Sequence, residues 1–522
     1  MSLYESYKPL RNRCRELKLD DALYVLWAYS QYLQIHDFEM PNDIEVIGEF
    51  TRADFPQKFI SEWTLESLVR EVILHAGRIA ERNRTLKKWD HFAQIANLLR
   101  KLESEISGKF VNQDNILVEL NRIGNRQFVW QNNPPNSQSM MRYFRIFSEP
   151  ELDRLIFEKT GLSMKDIAHI GMGFMGVYMK QPAVKYPIEV QFGRMTSEKV
   201  HSFLNFTCQS LNKIKVSIRN THTVDDGYAY SYNALREYPL VRMIYRGDEV
   251  IFCPLPTLLF WRITGGLYYE ICGMPNFSGP FGRSFEAYVC DVLRATIQKE
   301  NFSILGEQQY GSRKNRKHTV DWILTDAEEA ALFIECKTKR LSWRSRVALT
   351  NMTAVETDLE YLANAVTQLY KTISDYKKGY YPNLTYLKER RIYPLVVTLE
   401  NWHLCGPATN PKLNDIIEKK FDEIGLERRI MEESPYSICS ADELEVLLQH
   451  IDKVGIPAYM DPKVFDREKR DWAFAAHSTN FARENGLVTK RLFDRAYEEL
   501  FDEVKKNVIN QGLSVNFDEK SK

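Results

Sequence analysis

The sequence predicts a multidomain α+β protein, and three observations lead to this fold class. The chain has 522 residues, which is too long for one ordinary hydrophobic core. Apolar spacings typical of helices dominate both ends of the chain, and runs typical of strands lie between them. Two clusters of turn-forming residues, Gln131–Ser137 and Asn276–Pro280, interrupt these patterns. We therefore expect a helical N-terminal region at 1–135, a mixed α/β middle domain at 136–275, an α/β/α domain at 276–410 and a helical C-terminal segment at 411–522.

Composition excludes several classes of protein. The formal net charge is zero, so any polyanion must be held by a local basic patch and not by a global field. The 8 cysteines include no C-x-x-C pair, which argues against a disulfide framework or a structural zinc and suits a reducing compartment. The N-terminus lacks the apolar core of a signal peptide, and no apolar stretch reaches the roughly 20 residues of a membrane span. We expect a soluble, cytoplasmic protein with no membrane partner.

The part from 276 to 410 has the predicted order helix, hairpin, helix, strand. Its first helix places Phe285 and Tyr288 on one apolar face, with Glu286 beside that face. A long helix from about 354 to 377 follows the hairpin, with apolar residues at steps of three and four. The run Tyr393–Leu399 is apolar and β-branched, which predicts a buried strand.

The hairpin carries the candidate chemistry. Two apolar runs, one containing Asp321 and the other ending in Glu335, Cys336 and Lys337, flank a polar turn. If the turn centres on Glu328, the numbers of cross-strand partners add to 656, and Asp321 lies opposite Glu335. Since side chains alternate along a strand, Glu335 and Lys337 share one face while the Cys336 side chain points to the other. Glu-x-Lys alone is weak evidence, because cross-strand ion pairs are common on solvated strands. The apolar run 331–334, however, favours a buried strand.

Two adjacent carboxylates beside an ammonium suit a metal-dependent phosphodiesterase. The carboxylates repel each other unless a cation lies between them, and hard oxygen ligands favour Mg²⁺ or Mn²⁺. The ammonium of Lys337 can orient an attacking water and stabilise charge on the phosphoryl group. We take Asp321, Glu335 and Cys336 as the metal-binding residues.

At these residues the chain resembles the PD-(D/E)XK nuclease superfamily. The motif reads Val320-Asp321, then 13 residues, then Glu335-Cys336-Lys337, with Val320 in place of the proline. The resemblance covers roughly 279–404 and implies a restriction-endonuclease-like domain. It also implies that Glu286, on the preceding helix, and Gln368, on the following helix, belong to the catalytic site. For both residues, an ordinary surface position is the alternative.

The resemblance implies an Mg²⁺- or Mn²⁺-dependent endonuclease that cleaves double-stranded DNA, with bacterial restriction or anti-phage defence as an analogy of architecture. We also expect a homo-oligomer. Two alternatives stay open: a non-cleaving DNA or RNA sensor, and a nuclease for RNA or branched DNA in repair or transposition. Residues 311–346 contain nine Lys/Arg against five Asp/Glu, and this excess suits contact with a phosphate backbone. The candidate nucleic-acid-binding residues are Arg313, Lys314, Arg316, Lys317, Lys339 and Arg340, followed by Arg344 and Arg346.

Overall fold

The computed structural model describes residues 3–46, 60–81, 83–109, 123–132, 134–192, 195–327, 329–340, 352–402 and 406–510. The chain divides into two compact units. The first comprises 1–115, 126–277 and 493–522, and the second comprises 116–125 and 278–492. Within the described ranges, no helix has the length and apolar character needed to cross a bilayer.

The first unit is mainly helical. Its α-helices are α1 Leu3–Arg15, α2 Leu19–Gln34, α3 Glu62–His75, α4 Trp89–Gly108, α5 Val129–Asn132, α6 Ser137–Phe147, α7 Pro150–Thr160, α8 Met164–Tyr178, α9 Ser197–Thr207, α10 Leu211–Thr221, α11 Pro256–Ile263, α12 Leu267–Ile271 and, near the C-terminus, Asp494–Asn510. Its strands are β1 Ala183–Lys185, β2 Gln191–Phe192, β3 Met195–Thr196, β4 Cys208–Ser210, β5 Leu240–Tyr245 and β6 Asp248–Phe252. Four of these form a sheet in the order β1-β6-β5-β4. The apolar faces of α1 to α4 and residues of this sheet share one core.

The second unit is built on a five-stranded sheet. The described strands of this unit are β7 Phe302–Gly306, β8 Gln309–Ser312, β9 Asn315–His318, β10 Trp322–Asp326, β11 Ala330–Lys337, β12 Arg391–Thr398 and β13 Ser437–Ser440. Its helices are α13 Ser278–Thr296, α14 Met352–Lys377, α15 Gly406–Ile424, α16 Arg429–Glu433, α17 Ala441–Val454, α18 Ile456–Val464 and α19 Phe474–Asn485. The sheet order is β13-β12-β11-β10-β7, and β8 and β9 form a separate hairpin. Strands β7, β10 and β11 are antiparallel neighbours, whereas β11, β12 and β13 run parallel.

The predicted hairpin is confirmed, including its register. Trp322 pairs with Ile334 and Ile323 with Phe333, so the partner numbers add to 656 as expected. Strand β11 lies between β10 and β12, which explains why the run 330–336 is fully buried. Helix α14 makes the crossover from β11 to β12, and it packs with Phe333 in the core of this unit.

The division into two units differs in part from the four predicted segments. The predicted boundary at 275/276 lies close to the division at 277/278. The predicted boundaries at 135/136 and 410/411 fall inside the units. The segment 411–522, predicted to be helical, also contains β13, which extends the sheet by pairing parallel to β12. This pairing joins positions about forty residues apart, and helical periodicity gives no sign of it. Overall, helices and strands are mixed as the α+β prediction requires.

A candidate carboxylate–lysine active site

The hairpin brings the two predicted acids together. Asp321 immediately precedes β10, and the register of β10 and β11 places it across from Glu335. Its Oδ2 atom accepts a hydrogen bond of 2.6 Å from the backbone N–H of Cys336. This bond ties the first acid to the strand that carries the second acid.

Lys337 completes the group from the same strand. Its Nζ atom lies 2.6 Å from Oε1 of Glu335. The two residues have the same parity along β11 as Ala331 and Phe333, which pack in the α14 core. Glu335 is 3% exposed, and the Lys337 side chain is 21% exposed. The ion pair is therefore buried on the carboxylate side and open to solvent on the lysine side.

Helix α13 contributes Glu286. The indole N–H of Trp322 donates a 3.0 Å hydrogen bond to the backbone carbonyl of Glu286, which ties the helix to the start of β10 beside Asp321. Burial, followed by the charge of Asp321, raises the pKa of the Glu286 carboxyl to about 7. The structure thus brings Glu286 into the electrostatic environment of the hairpin acids.

The carboxyl groups of this cluster have raised pKa values. Burial and then the charge of Asp321 raise the pKa of Glu335 to about 7, against the opposing effect of Lys337. Burial also raises the pKa of Asp321, although the Cys336 N–H and Lys337 act in the other direction. For Lys337, burial would lower the pKa, but the charges of Glu335 and Asp321 raise it above its usual value. Strongly shifted pKa values are common at functional sites.

Glu307 is a fourth nearby acid that the sequence did not reveal. Gly306 pairs with Trp322 in an antiparallel register, so Glu307, which follows Gly306, adjoins Asp321, which precedes Trp322. The charge of Glu307 raises the pKa of both Asp321 and Glu286. Its Oε1 atom also lies 3.1 Å from Nδ1 of His318. Because the pairing of β7 with β10 spans the β8–β9 hairpin, no local pattern in the sequence indicates this neighbour.

The place of Gln368 in the site stays a prediction. It is exposed on α14, and within the described residues it has no hydrogen bond to the carboxylates. After Glu335 and Asp321, Tyr361 of α14 also raises the pKa of Lys337. Tyr361 lies two helical turns before Gln368, roughly 10 Å along the helix axis. Tyr361 also lies under the ammonium of Lys339, 4.8 Å from the ring centroid.

The basic patch separates into two classes of residue. Arg313, Lys314 and Arg316 are exposed on the β8–β9 hairpin, and in the described part of the chain they have no ion-pair partner. The other three bind acids within the second unit: Lys317 binds Asp375 at 2.7 Å, Lys339 binds Asp358 at 2.8 Å, and Arg340 binds Glu400. Arg344 and Arg346 lie outside the described residues. The accessible positive charge is therefore concentrated at the tip of the hairpin.

The donor set fits a hard divalent cation in part. Asp321 and Glu335 offer adjacent carboxylate oxygens, and burial raises the pKa of both carboxyls. The Cys336 thiol is a poor ligand, because burial keeps its pKa well above the usual value. Its backbone carbonyl is the atom that could contribute. Across the described residues, no group of three or more His, Cys, Asp and Glu side chains is arranged to hold a metal ion. Mg²⁺ commonly uses one or two carboxylates and completes its shell with water and phosphate oxygens.

Comparisons of the chain with protein-family models, with curated proteins and with solved structures found no match.

Proposed function

We propose that this chain is a metal-dependent nuclease that hydrolyses phosphodiester bonds, acting as an endonuclease on DNA. One observation carries the proposal: Asp321 and Glu335 adjoin at the end of a buried hairpin, with the Lys337 ammonium 2.6 Å from Glu335. An ordinary surface ion pair contributes little and has no reason to be buried. A buried excess of carboxylates is costly for folding, and such a cost is typical of a functional site.

The arrangement of elements also supports the proposal. The resemblance to PD-(D/E)XK nucleases implies a helix, a hairpin, a second helix and a strand beside the hairpin. The second unit has α13, then β7, β10 and β11 as an antiparallel set, then α14, and then β12 parallel to β11. Asp321 immediately precedes β10, and Glu335 to Lys337 are the last residues of β11. Because the two strands are antiparallel, these residues lie at the same end of the pair.

Each residue has a distinct role in the proposed reaction. Asp321, Glu335 and the Cys336 carbonyl would hold Mg²⁺ or Mn²⁺, which when bound supplies charge that lowers the pKa of a water and neutralises phosphate oxygens. Lys337 orients the attacking water and stabilises charge that develops on the phosphoryl group. Glu286, with a pKa of about 7, can take up or release a proton near neutral pH.

The exposed cations indicate where the substrate backbone would lie. Arg313, Lys314 and Arg316 are free of acids in the described chain and occupy the β8–β9 hairpin. His318, at the end of the same hairpin, binds Glu307 beside Asp321. The hairpin therefore connects the accessible positive charge to the edge of the carboxylate cluster, and phosphate contacts there would position the strand to be cut.

The decisive experiment is a cleavage assay on the full chain. Purified protein is incubated with supercoiled plasmid and with RNA, in Mg²⁺, in Mn²⁺ and in chelator. We expect metal-dependent nicking of DNA that falls at least about a hundredfold in Asp321→Ala, Glu335→Ala and Lys337→Ala. Glu329→Ala, at the exposed turn of the same hairpin, is the matched control and should retain activity. Full activity in chelator, or in Glu335→Ala, would refute the proposal.

A second candidate is a nucleic-acid-binding module without cleavage. The observation that favours it is that the described residues provide fewer than three side-chain ligands for a metal at one place. This function predicts metal-independent binding of DNA or RNA, with no nicking in either Mg²⁺ or Mn²⁺. Cleavage of RNA in preference to plasmid would instead assign the site to RNA.

A further inference from the structure

A large cavity lies in the second unit at the edge of its sheet. Its volume is about 820 Å³, which is within the range of small-molecule binding sites. All four residues of β13, Ser437–Ser440, line it, and β13 is the edge strand of the five-stranded sheet. Parts of α15 and the segment 463–474 provide other walls. The cavity belongs to a different edge from the one formed by β7.

Aromatic rings provide much of the lining. The five are Trp402, Tyr436, Phe465, Trp472 and Phe474. Trp402 is 4% exposed, and its indole N–H has no acceptor among the described residues. A buried donor without a partner costs free energy, so a ligand that brings an acceptor would relieve this cost. Flat rings together with a free donor suit a planar heterocycle with acceptor atoms.

A buried cation lies in the same wall. Lys463 is 4% exposed, and its Nζ atom donates to the backbone carbonyls of Arg470 at 2.7 Å and Lys469 at 3.3 Å. An ammonium has three N–H donors, so one donor remains after these two bonds. No carboxylate in the described chain lies within ion-pair distance of Lys463, and burial lowers its pKa to about 8. At neutral pH the group is still mostly charged. The charges of Glu443 and Asp471 oppose the fall in its pKa, and its Nζ atom lies 5.2 Å from the centroid of the Phe474 ring.

The mouth of the cavity adds further positive charge. Arg467 and Arg470 line it, are exposed, and have no ion pair within the described residues. Three of the lining acids are already engaged: Glu443 accepts from the N–H groups of Ser440 and Ala475, Asp471 accepts from Asn410, and Glu418 pairs with Arg428. Glu432 is the remaining acid of the lining. Three of the four lining acids therefore already have partners, whereas Lys463, Arg467 and Arg470 have no ion pair within the described residues.

We propose that this cavity binds a nucleoside 5′-phosphate, with the base among the aromatic rings and the phosphate on Lys463, Arg467 and Arg470. The ligand is either a free nucleotide or the phosphorylated end of a nucleic-acid strand, because the two share this chemistry. The site is distinct from the carboxylate cluster, although Thr398 in its lining pairs with Lys337 across β12 and β11. The proposal does not rest on nuclease activity.

Isothermal titration of the full chain in chelator tests the site without any cleavage. One arm uses AMP, GMP, CMP, UMP and ATP, and another uses a short 5′-phosphorylated oligonucleotide with its unphosphorylated twin. We expect binding of a nucleotide or of the phosphorylated end with a Kd below about 1 mM, and weaker or no binding of adenosine and of inorganic phosphate alone. A result in the first arm alone identifies a free nucleotide as the ligand, and a result in the second alone identifies a strand end.

Three variants locate the binding. Lys463→Met keeps the buried stem of the side chain and removes the charge, and Arg470→Ala changes an exposed side chain. Each should weaken binding about tenfold or more. Lys490→Met, an exposed lysine outside the lining, is the control and should bind as the parent does. The absence of binding by every ligand, or equal affinity in Arg470→Ala and Lys490→Met, would overturn the assignment.

Discussion

Replacing Glu335 by glutamine measures the cost of the buried negative charge. Glu335 is 3% exposed, and burial followed by the charge of Asp321 raises its pKa from 4.5 to about 7. An acid with a raised pKa holds its proton in the folded state, so its ionisation destabilises the fold as pH rises above 4.5. At about 1.36 kcal/mol per pH unit, this cost is about 3 kcal/mol at pH 8 and about 1 kcal/mol at pH 5. Without metal, Glu335→Gln should therefore stabilise the protein at pH 8 and much less at pH 5.

The assay is thermal unfolding in chelator and in Mg²⁺, at both pH values. One kcal/mol shifts the melting temperature by about 2–4 °C for a unit of this size, so we expect a gain of several degrees in chelator at pH 8. Addition of Mg²⁺ should stabilise the parent protein and leave Glu335→Gln almost unchanged, because the metal binds the ionised carboxylate. Glu329→Gln, exposed in the turn, is the control. A loss of stability in Glu335→Gln at pH 8 in chelator would contradict the electrostatic account of the cluster.

Three other predictions follow from named contacts. Reversing Arg313, Lys314 and Arg316 to glutamate should weaken DNA binding and reduce the slope of log affinity against log salt by about 0.9 per lost duplex contact. By contrast, Lys317→Glu should lower the melting temperature, because it breaks the ion pair with Asp375. Glu307→Gln should move the acid limb of the cleavage pH profile to lower pH, since the charge of Glu307 raises the pKa of Asp321 and Glu286; an unmoved limb would place Glu307 outside the site. In the first unit, burial lowers the pKa of His75 to about 4, so stability should fall by about 2 kcal/mol between pH 7 and pH 5, and His75→Gln should flatten this dependence in unfolding measurements.

The part of the site that the sequence predicted is the part that local pairing determines. Asp321 and Glu335 belong to two strands joined by a short turn, so alternation and the position of the turn were enough to fix their register. Helices α13 and α14 were also predictable, because their apolar residues repeat at helical spacing. Glu286 was predicted as a residue on one of these helices. The hydrogen bond from Trp322 to its backbone carbonyl, which ties that helix to the start of β10, could not be predicted from a sequence pattern.

Residues joined by long-range pairing were missed for a physical reason. Glu307 reaches Asp321 only because β7 pairs with β10 across an intervening hairpin. Strand β13 was absorbed into a predicted helical segment, since four residues leave almost no periodic signal. The cavity beside β13 could not be predicted for the same reason: its walls come from Trp402, Tyr436 and Lys463, which are distant from one another in sequence.

Contacts between residues distant in sequence also change the interpretation of the basic patch. Counted along the sequence, residues 311–346 carry an excess of four positive charges. In the structure, Lys317, Lys339 and Arg340 are each paired with an acid outside this window, on α14 or just after β12. A paired cation offers little to a phosphate unless it first leaves its acid, so the charge count along the chain overstates the field that a nucleic acid would meet. The binding experiments should accordingly respond to changes at the tip of the β8–β9 hairpin, and changes at the paired residues should act mainly on folding.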